Sequence, residues 1–575
     1  MECGGSTPLW IRHAWHRVVV PIREAAIPRN NLRPKELREV AILPIVATTQ
    51  LTHPHMSCLG IQSAVQPAHS MAPLEARRLG HSQPEKPLAN REPLRTMPAS
   101  MKQHPLYLNG EFVKTNSRLT VTNPGLNEPF AEVCTTDRAG LSKAIADAHA
   151  AFAGWRELTA MQRGDFLHAI AAEVKKRADE IAELITLENG KPLAQSKGEI
   201  GMTIDHLRWF AEEARRAYGR TIPHQQAGKR HIVIKTPIGV VAAISPWNFP
   251  LVLGVRKIAP ALAAGCPVIL KPASATPLCN LAFAECVHAA GLPKGVFQVV
   301  VGKASEIAAE FLDNPLCRKI SFTGSTEVGR QLIAGAAPNI KPLSLELGGH
   351  SPVLVFDDAD LDKAVEGTMI AKFRNTGQSC IAANRIYAQT GIFDSFVTAL
   401  VEKTKAMKTG YGMDADVEIG AMINEDAIAT ALRHIEEAQA KGATLHCGGK
   451  RLEGAKGFFL EPTVLTNVPD ECMGMCDETF GPVAYVNSFD TEDDGVAKAN
   501  NTTYGLAGYV FTENLGRTFR MMERIEAGML AINDGVPTTS QCPFGGVKQS
   551  GWGRELGIEG MDAYLETKHV ALNIG

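Results

Sequence analysis

Beyond residue 237 the chain alternates short, nearly continuous apolar runs with longer amphipathic stretches. Residues 240–245, 268–271, 296–301 and 319–322 read as strands, and residues 251–264, 278–290 and 305–311 as the helices between them. Strands alternating with helices predict a parallel, doubly wound sheet, whose ligands bind at the carboxyl ends of the strands. Asn248, Lys271, Ser274, Gly302 and Gly324 fall at those ends. The rhythm resumes with a strand at 353–356, a helix opened by Asp357-Asp358-Ala359-Asp360 and running toward Lys372, and further strand and helix pairs, which predicts a second α/β domain. Ahead of the alternation, Asn109-Gly110 between alternating residues predicts a hairpin, and residues 137–152 and 161–187 repeat apolar positions at three- and four-residue spacing, as covering helices do. Residues 230–236 form a short strand pattern between Gly228 and Pro237.

Composition narrows the class. At 575 residues the chain exceeds one compact core, and its net charge of -2 contains no block that would favour nucleic acid or a membrane surface. The twelve cysteines form neither a CxxC pair nor a Cys/His cluster, which argues against a disulfide framework and a bound metal and fits a cytoplasmic, reducing setting. The apolar runs fall far short of the roughly 20 residues of a membrane span. Residues 1–100 lack Asp, scatter proline and keep no period, a disordered composition. Organelle targeting is the weaker reading there, since Glu2, Glu24 and the prolines oppose an amphipathic basic helix. Met101 would serve as an initiator, so this stretch is expected to be an extension dispensable for catalysis.

The chemistry centres on Phe373-Arg374-Asn375-Thr376-Gly377-Gln378-Ser379-Cys380-Ile381-Ala382-Ala383-Asn384-Arg385. Small and amide side chains surround one cysteine, which leaves its sulfur reachable as a nucleophile of lowered pKa. A free cysteine taken singly is more often a small core hydrophobe, so Cys380 needs partners. Glu346 supplies one: it ends an apolar strand-like run just before Gly348-Gly349, where burial would raise its pKa toward that of a general base.

Six motifs in order make the chain from about residue 101 onward resemble the aldehyde dehydrogenase superfamily, most closely its succinate-semialdehyde dehydrogenase branch. They are Pro246-Trp247-Asn248-Phe249-Pro250, Lys271-Pro272-Ala273-Ser274, Phe322-Thr323-Gly324-Ser325, Leu345-Glu346-Leu347-Gly348-Gly349, Gly377-Gln378-Ser379-Cys380 and Glu478-Thr479-Phe480-Gly481-Pro482. The resemblance implies a Rossmann-like NAD(P)-binding domain of residues 101–217 and 237–347, a catalytic α/β domain of 348–548, and an oligomerisation flap of 218–236 and 549–575 that would build a homodimer or homotetramer. It assigns Cys380 as nucleophile, Asn248 with the Cys380 N–H as oxyanion donors, and Glu346 as the base that hydrolyses the thioester. Trp247, Lys271, Pro272, Ala273, Ser274, Gly324, Ser325, Leu347, Glu478 and Phe480 would bind NAD or NADP. No GxGxxG opens the first helix; Gly324 and Gly329 stand five apart instead. Ser274, a hydroxyl where strict NAD enzymes place a carboxylate, should tolerate the 2'-phosphate of NADP.

For the small-molecule substrate, Arg256, Arg374 and Thr538 match the positions that hold a distal carboxylate in the branch, as a planar and always-charged partner should. Succinate semialdehyde is therefore expected, with glutarate semialdehyde or another short aldehyde as the alternative. A coenzyme A-acylating enzyme would lack Glu346, and a non-catalytic relative would have no need of Cys380, Glu346 and Asn248 together. Ala382 stands where the branch often has a second cysteine, so no disulfide switch is expected. His350 replaces a commoner Asn or Lys.

Overall fold

The computed structural model describes residues 101–575; the expectation for residues 1–100 lies outside them. The first of two large sheets has eight strands in the order Gly551–Trp552, Leu343–Glu346, Cys317–Thr323, Val240–Ile244, Val268–Lys271, Phe297–Val299, Leu106–Leu108 and Glu111–Val113. The five from Leu343–Glu346 to Phe297–Val299 are parallel, and the edges are antiparallel. In chain order the parallel strands begin centrally at Val240–Ile244, step outward twice, then resume on the other flank at Cys317–Thr323. That reversal opens a crevice between the carboxyl ends of Val240–Ile244 and Cys317–Thr323.

The helix Pro250–Ala264 follows the first of these strands and is buried along its whole length. Proline at its first position, where no N–H partner is needed, starts it, and Gly265 at φ 97° ends it in the left-handed region. The expected hairpin at Asn109-Gly110 forms. The expected long helix 161–187 is two helices, Ala160–Lys176 and Ala178–Asn189. Arg177 leaves helical geometry at the junction (φ -106°, ψ 19°), and its guanidinium pairs with Glu180 and Glu285 at 2.7 and 2.6 Å. A further helix, Leu193–Glu213, escaped the apolar periodicity because it buries Glu199, His206 and Glu213.

The second sheet has seven strands in the order Thr444–Cys447, Thr463–Thr466, Val483–Phe489, Ala383–Gln389, Ser351–Val355, Ala507–Phe511 and Met529–Ile532, parallel except for the first. A third, three-stranded sheet pairs Leu565–Asn573 with Lys229–Pro237 over nine residues, with Arg220–Ile222 on its outer edge. Gly551–Trp552, expected with this flap, instead hydrogen-bonds the edge strand Leu343–Glu346 of the first sheet. That pairing covers an edge that would otherwise stay open beside Glu346. Among the described residues no helix is long and apolar enough to cross a membrane, and no group of three or more His, Cys, Asp or Glu is placed to hold a metal.

Candidate active site

Cys380 sits between the short helical turn Arg374–Gly377 and the strand Ala383–Gln389. Asn375 and Thr376 take left-handed backbone angles (φ 53° and 58°), as does Gly377 at 71°. Only glycine fits the last position, since a Cβ there would lie 2.1 Å from the Gly481 carbonyl. Hydrogen bonds over-determine this turn, as strained backbone requires. Thr376 Oγ1 accepts from Gly420 N–H at 3.0 Å, Gln378 Oε1 from Ile423 N–H at 3.0 Å, and the Ile381 carbonyl from Tyr509 Oη at 2.7 Å.

Asn248 reaches the same turn from the first sheet. Its Nδ2 donates to the Gln378 carbonyl at 3.2 Å, while Asn375 Nδ2 donates to both the Gln378 and Asn248 carbonyls at 3.0 and 2.8 Å. Asn248 Oδ1 has no partner. An amide so clasped keeps a second N–H for a ligand beside Cys380.

A cavity of about 220 Å³ opens at the crevice, and Trp247, Asn248, Gly324, Ser325, Leu347, Cys380, Glu478 and Phe480 line it together. Trp247 and Phe480 meet edge to face at 5.4 Å between ring centroids. Lys271, Pro272, Ala273 and Ser274 lie outside this lining, at the end of the adjacent strand Val268–Lys271. The Lys271 ammonium is buried, and burial alone pulls it down to about 8.

Cys380 is half-buried, yet its thiol is not the low-pKa group expected from the sequence. Burial, then Glu478 and Glu346, push it up to about 12 against the opposing pull of Arg256. Glu478, half-buried and accepting from Gly349 N–H at 3.3 Å, is pushed up to about 8 by desolvation. Glu346 ends its strand as expected; it is buried, and its Oε2 has no hydrogen-bond partner. Burial and the neighbouring Glu555 carboxylate hold it well above the usual carboxylate range.

Lys257 and Glu555 are charged neighbours of Glu346 that the sequence reading missed. The buried Lys257 Nζ donates to Thr323 Oγ1 at 2.6 Å and to Glu555, so a carboxylate and an ammonium stand behind Glu346. The two are 298 positions apart, with no local pattern in the sequence to pair them.

Arg256 and Arg374 both act electrostatically on Cys380. Arg256 is buried and stacks over the Phe544 ring at 4.4 Å; Arg374 is half-buried and stacks over Phe249 at 4.9 Å. Neither has a carboxylate partner among the described residues, and Arg256 Nε has no hydrogen bond. Burial pulls both below the usual guanidinium range. Arg374 also lines a larger open groove of about 640 Å³ with Gln195 and Phe373. Thr538 is half-buried, in a segment where Thr539 and Ser540 hydrogen-bond Gln541 Oε1; among the described residues no hydrogen bond joins it to the arginines. Cys380 has no disulfide, and Ala382 is buried beside it.

Comparison with known proteins adds a family. The sequence model of the aldehyde dehydrogenase family matches residues 112–570. The NADP-dependent succinate-semialdehyde dehydrogenase of Escherichia coli is 47% identical over 469 residues, 81% of this chain and 97% of the relative. The glutarate-semialdehyde dehydrogenase of Pseudomonas aeruginosa is also 47% identical, over 82% of this chain and 98% of its own. Among solved structures, one described as an E. coli NADP-dependent enzyme superposes with a TM-score of 0.81 at 47% identity, covering 82% of this chain and 98% of that one.

Proposed function

The chain belongs to the aldehyde dehydrogenase family, and from that premise we propose that it oxidises succinate semialdehyde to succinate with NAD or NADP. The observation that carries the substrate is the pair of guanidiniums, Arg256 and Arg374, which form no ion pair among the described residues and are both felt by the Cys380 thiol. A buried arginine left without a carboxylate is destabilising until one arrives. A short aldehyde with a distal carboxylate supplies it and presents its carbonyl to Cys380.

The residues present fit a nicotinamide dinucleotide. Trp247, Gly324, Ser325, Leu347, Glu478 and Phe480 would border its nicotinamide end, and Lys271 with Ser274 its adenosine ribose. When bound, that group supplies the hydride acceptor. The buried Lys271 ammonium and the Ser274 hydroxyl support acceptance of a 2'-phosphate, which a carboxylate would repel.

Cys380 Sγ, its proton passed to solvent water, adds as thiolate to the aldehyde carbonyl. The second N–H of Asn248 Nδ2 and the Cys380 backbone N–H take up the developing oxyanion. Once hydride has left the carbonyl carbon, the acyl group stands as a thioester on Sγ. Glu346, held above the usual carboxylate range by burial and Glu555, accepts a proton from water, and the hydroxide cleaves the thioester to carboxylate and free thiol. The proton can then move toward Glu555, which Lys257 holds. No step calls for a metal.

The domain expectations stand as proposals in the same sense: the eight-stranded sheet as cofactor domain, the seven-stranded sheet as catalytic domain, and the sheet of Lys229–Pro237 and Leu565–Asn573 as the surface of a homodimer or homotetramer. The ten free cysteines of the described residues support a reducing, cytoplasmic setting. Glutarate semialdehyde is the second reading, favoured by the half-buried, partly open position of Arg374 toward the larger groove. Reduced-cofactor absorbance with succinate semialdehyde, glutarate semialdehyde and uncharged butanal, each with NAD and NADP, tests both. A kcat/KM for succinate semialdehyde about 100-fold above butanal supports the anchor; equal or better use of butanal overturns it.

A further inference from the structure

Lys191 and Glu199 form an ion pair of 2.8 Å with both side chains wholly buried. Such pairs stabilise a fold little more than apolar packing would, so a buried one invites a positional explanation. Lys191 Nζ also donates to the backbone carbonyl of Asn248 at 2.6 Å and lies 4.1 Å from the centroid of the Phe249 ring. Glu199 Oε1 accepts from Leu251 and Val252 N–H at 2.9 and 3.1 Å, in the first turn of the helix that carries Arg256 and Lys257. The Asn248 carbonyl has two further donors, Asn375 Nδ2 at 2.8 Å and Asn189 Nδ2 at 3.5 Å. Of the three, Lys191 alone brings a charge, and its partner anchors the peptide groups just beyond Asn248.

We propose that Lys191 is a positioning residue for carbonyl addition: locked by Glu199, it holds the Asn248 backbone so that the side-chain amide faces the sulfur of Cys380. Asn248 is then fixed from two sides. The Cys380 turn holds its side chain through the Gln378 carbonyl, and the Lys191–Glu199 pair holds its main chain. The inference rests on the reading of Asn248 as an oxyanion donor. It adds a charge pair, remote in sequence from the nucleophile, that sets where that donor points.

The test compares the full-length protein with the double variant Lys191→Met/Glu199→Gln. Removing both charges together leaves neither buried alone, and the new amide oxygen can still accept from Leu251 and Val252 N–H. Three rates are read: aldehyde oxidation, cofactor-free hydrolysis of 4-nitrophenyl acetate, and alkylation of Cys380 by iodoacetamide. The first two pass through an oxyanion; alkylation needs the thiolate but no oxyanion donor. Oxidation and ester hydrolysis should fall together by about 100-fold, the scale of a slightly misplaced catalytic group, while alkylation and the Kd for NADP stay unchanged. Equal loss of all three rates would mark the pair as merely structural and overturn the proposal, as would undiminished ester hydrolysis. If the double variant does not fold, Lys191→Arg, which keeps the charge and displaces the donor, is read on the same three rates. Asn248→Ala, run in parallel, separates the two ideas. Intact ester hydrolysis in that variant would remove the oxyanion reading itself, whereas loss there without loss in the Lys191 variants would remove only the positioning.

Discussion

The carboxyls and the arginines around Cys380 are unfinished in opposite senses. Glu478 in the cavity lining, and Glu346 behind, are carboxyls pushed up by burial. Arg256 and Arg374, outside that lining, are guanidiniums pulled down by burial. In each group desolvation is the first cause, and each lacks a fully compensating opposite charge. Under the proposed function, the difference sorts the two sides by the sign of charge each would receive. An oxidised nicotinamide ring is positive and suits the carboxyls; the far end of a semialdehyde acid is negative and suits the arginines.

The largest break in this comparison removes the thiol between the two. Cys380→Ala should lower kcat by about 10⁴-fold or more while leaving the Kd for NADP unchanged; substantial dehydrogenase turnover would sink the mechanism. Glu346→Gln should act on one half-reaction only. Its steady-state kcat should fall by about 10³-fold, with a pre-steady-state burst of reduced cofactor near one equivalent per site, because the thioester forms and then persists. A lost burst would move Glu346 into the first half-reaction.

Smaller changes sharpen the contrast. Arg374→Ala should lower kcat/KM for succinate semialdehyde about 100-fold and that for butanal far less, since only the former loses a charge-assisted contact. Equal losses would remove the anchor. Ser274→Glu should lower kcat/KM for NADP more than for NAD, by about tenfold in the ratio. The gentlest probe is pH. A thiol at about 12 is protonated at neutrality and gains thiolate as pH rises, so alkylation of Cys380 in cofactor-free protein should quicken about tenfold per pH unit between 7 and 10. A plateau near pH 8 would mean that the arginines outweigh burial.

The sequence made legible what local grammar encodes. The alternation of strand and helix from residue 238 on is cooperative in short windows, the Glu346 strand end and the turn before Cys380 form as read, and motif residues from Trp247 to Phe480 meet in one cavity. What it hid are contacts between distant positions. Lys257 meets Glu555 across 298 residues and Lys191 meets Asn248 across 57, with no local pattern to announce either. The helix Leu193–Glu213 was hidden for a related reason: its inward face carries Glu199 and His206, and hydrophobic periodicity cannot see a buried polar face. The thiol's direction of shift was misjudged because small neighbours suggested access, whereas three nearby carboxyls and burial decide the charge.

A Cys380 thiol pushed up by burial and the carboxyls beside it has a consequence for survival under oxidants. Peroxide attacks thiolates, and at neutral pH a thiol held near 12 offers almost none. Two residues on, Ala382 carries no thiol. An idle enzyme of this kind should ride out an oxidative burst with its nucleophile intact, becoming vulnerable only in the moments when ligands have drawn the thiolate out.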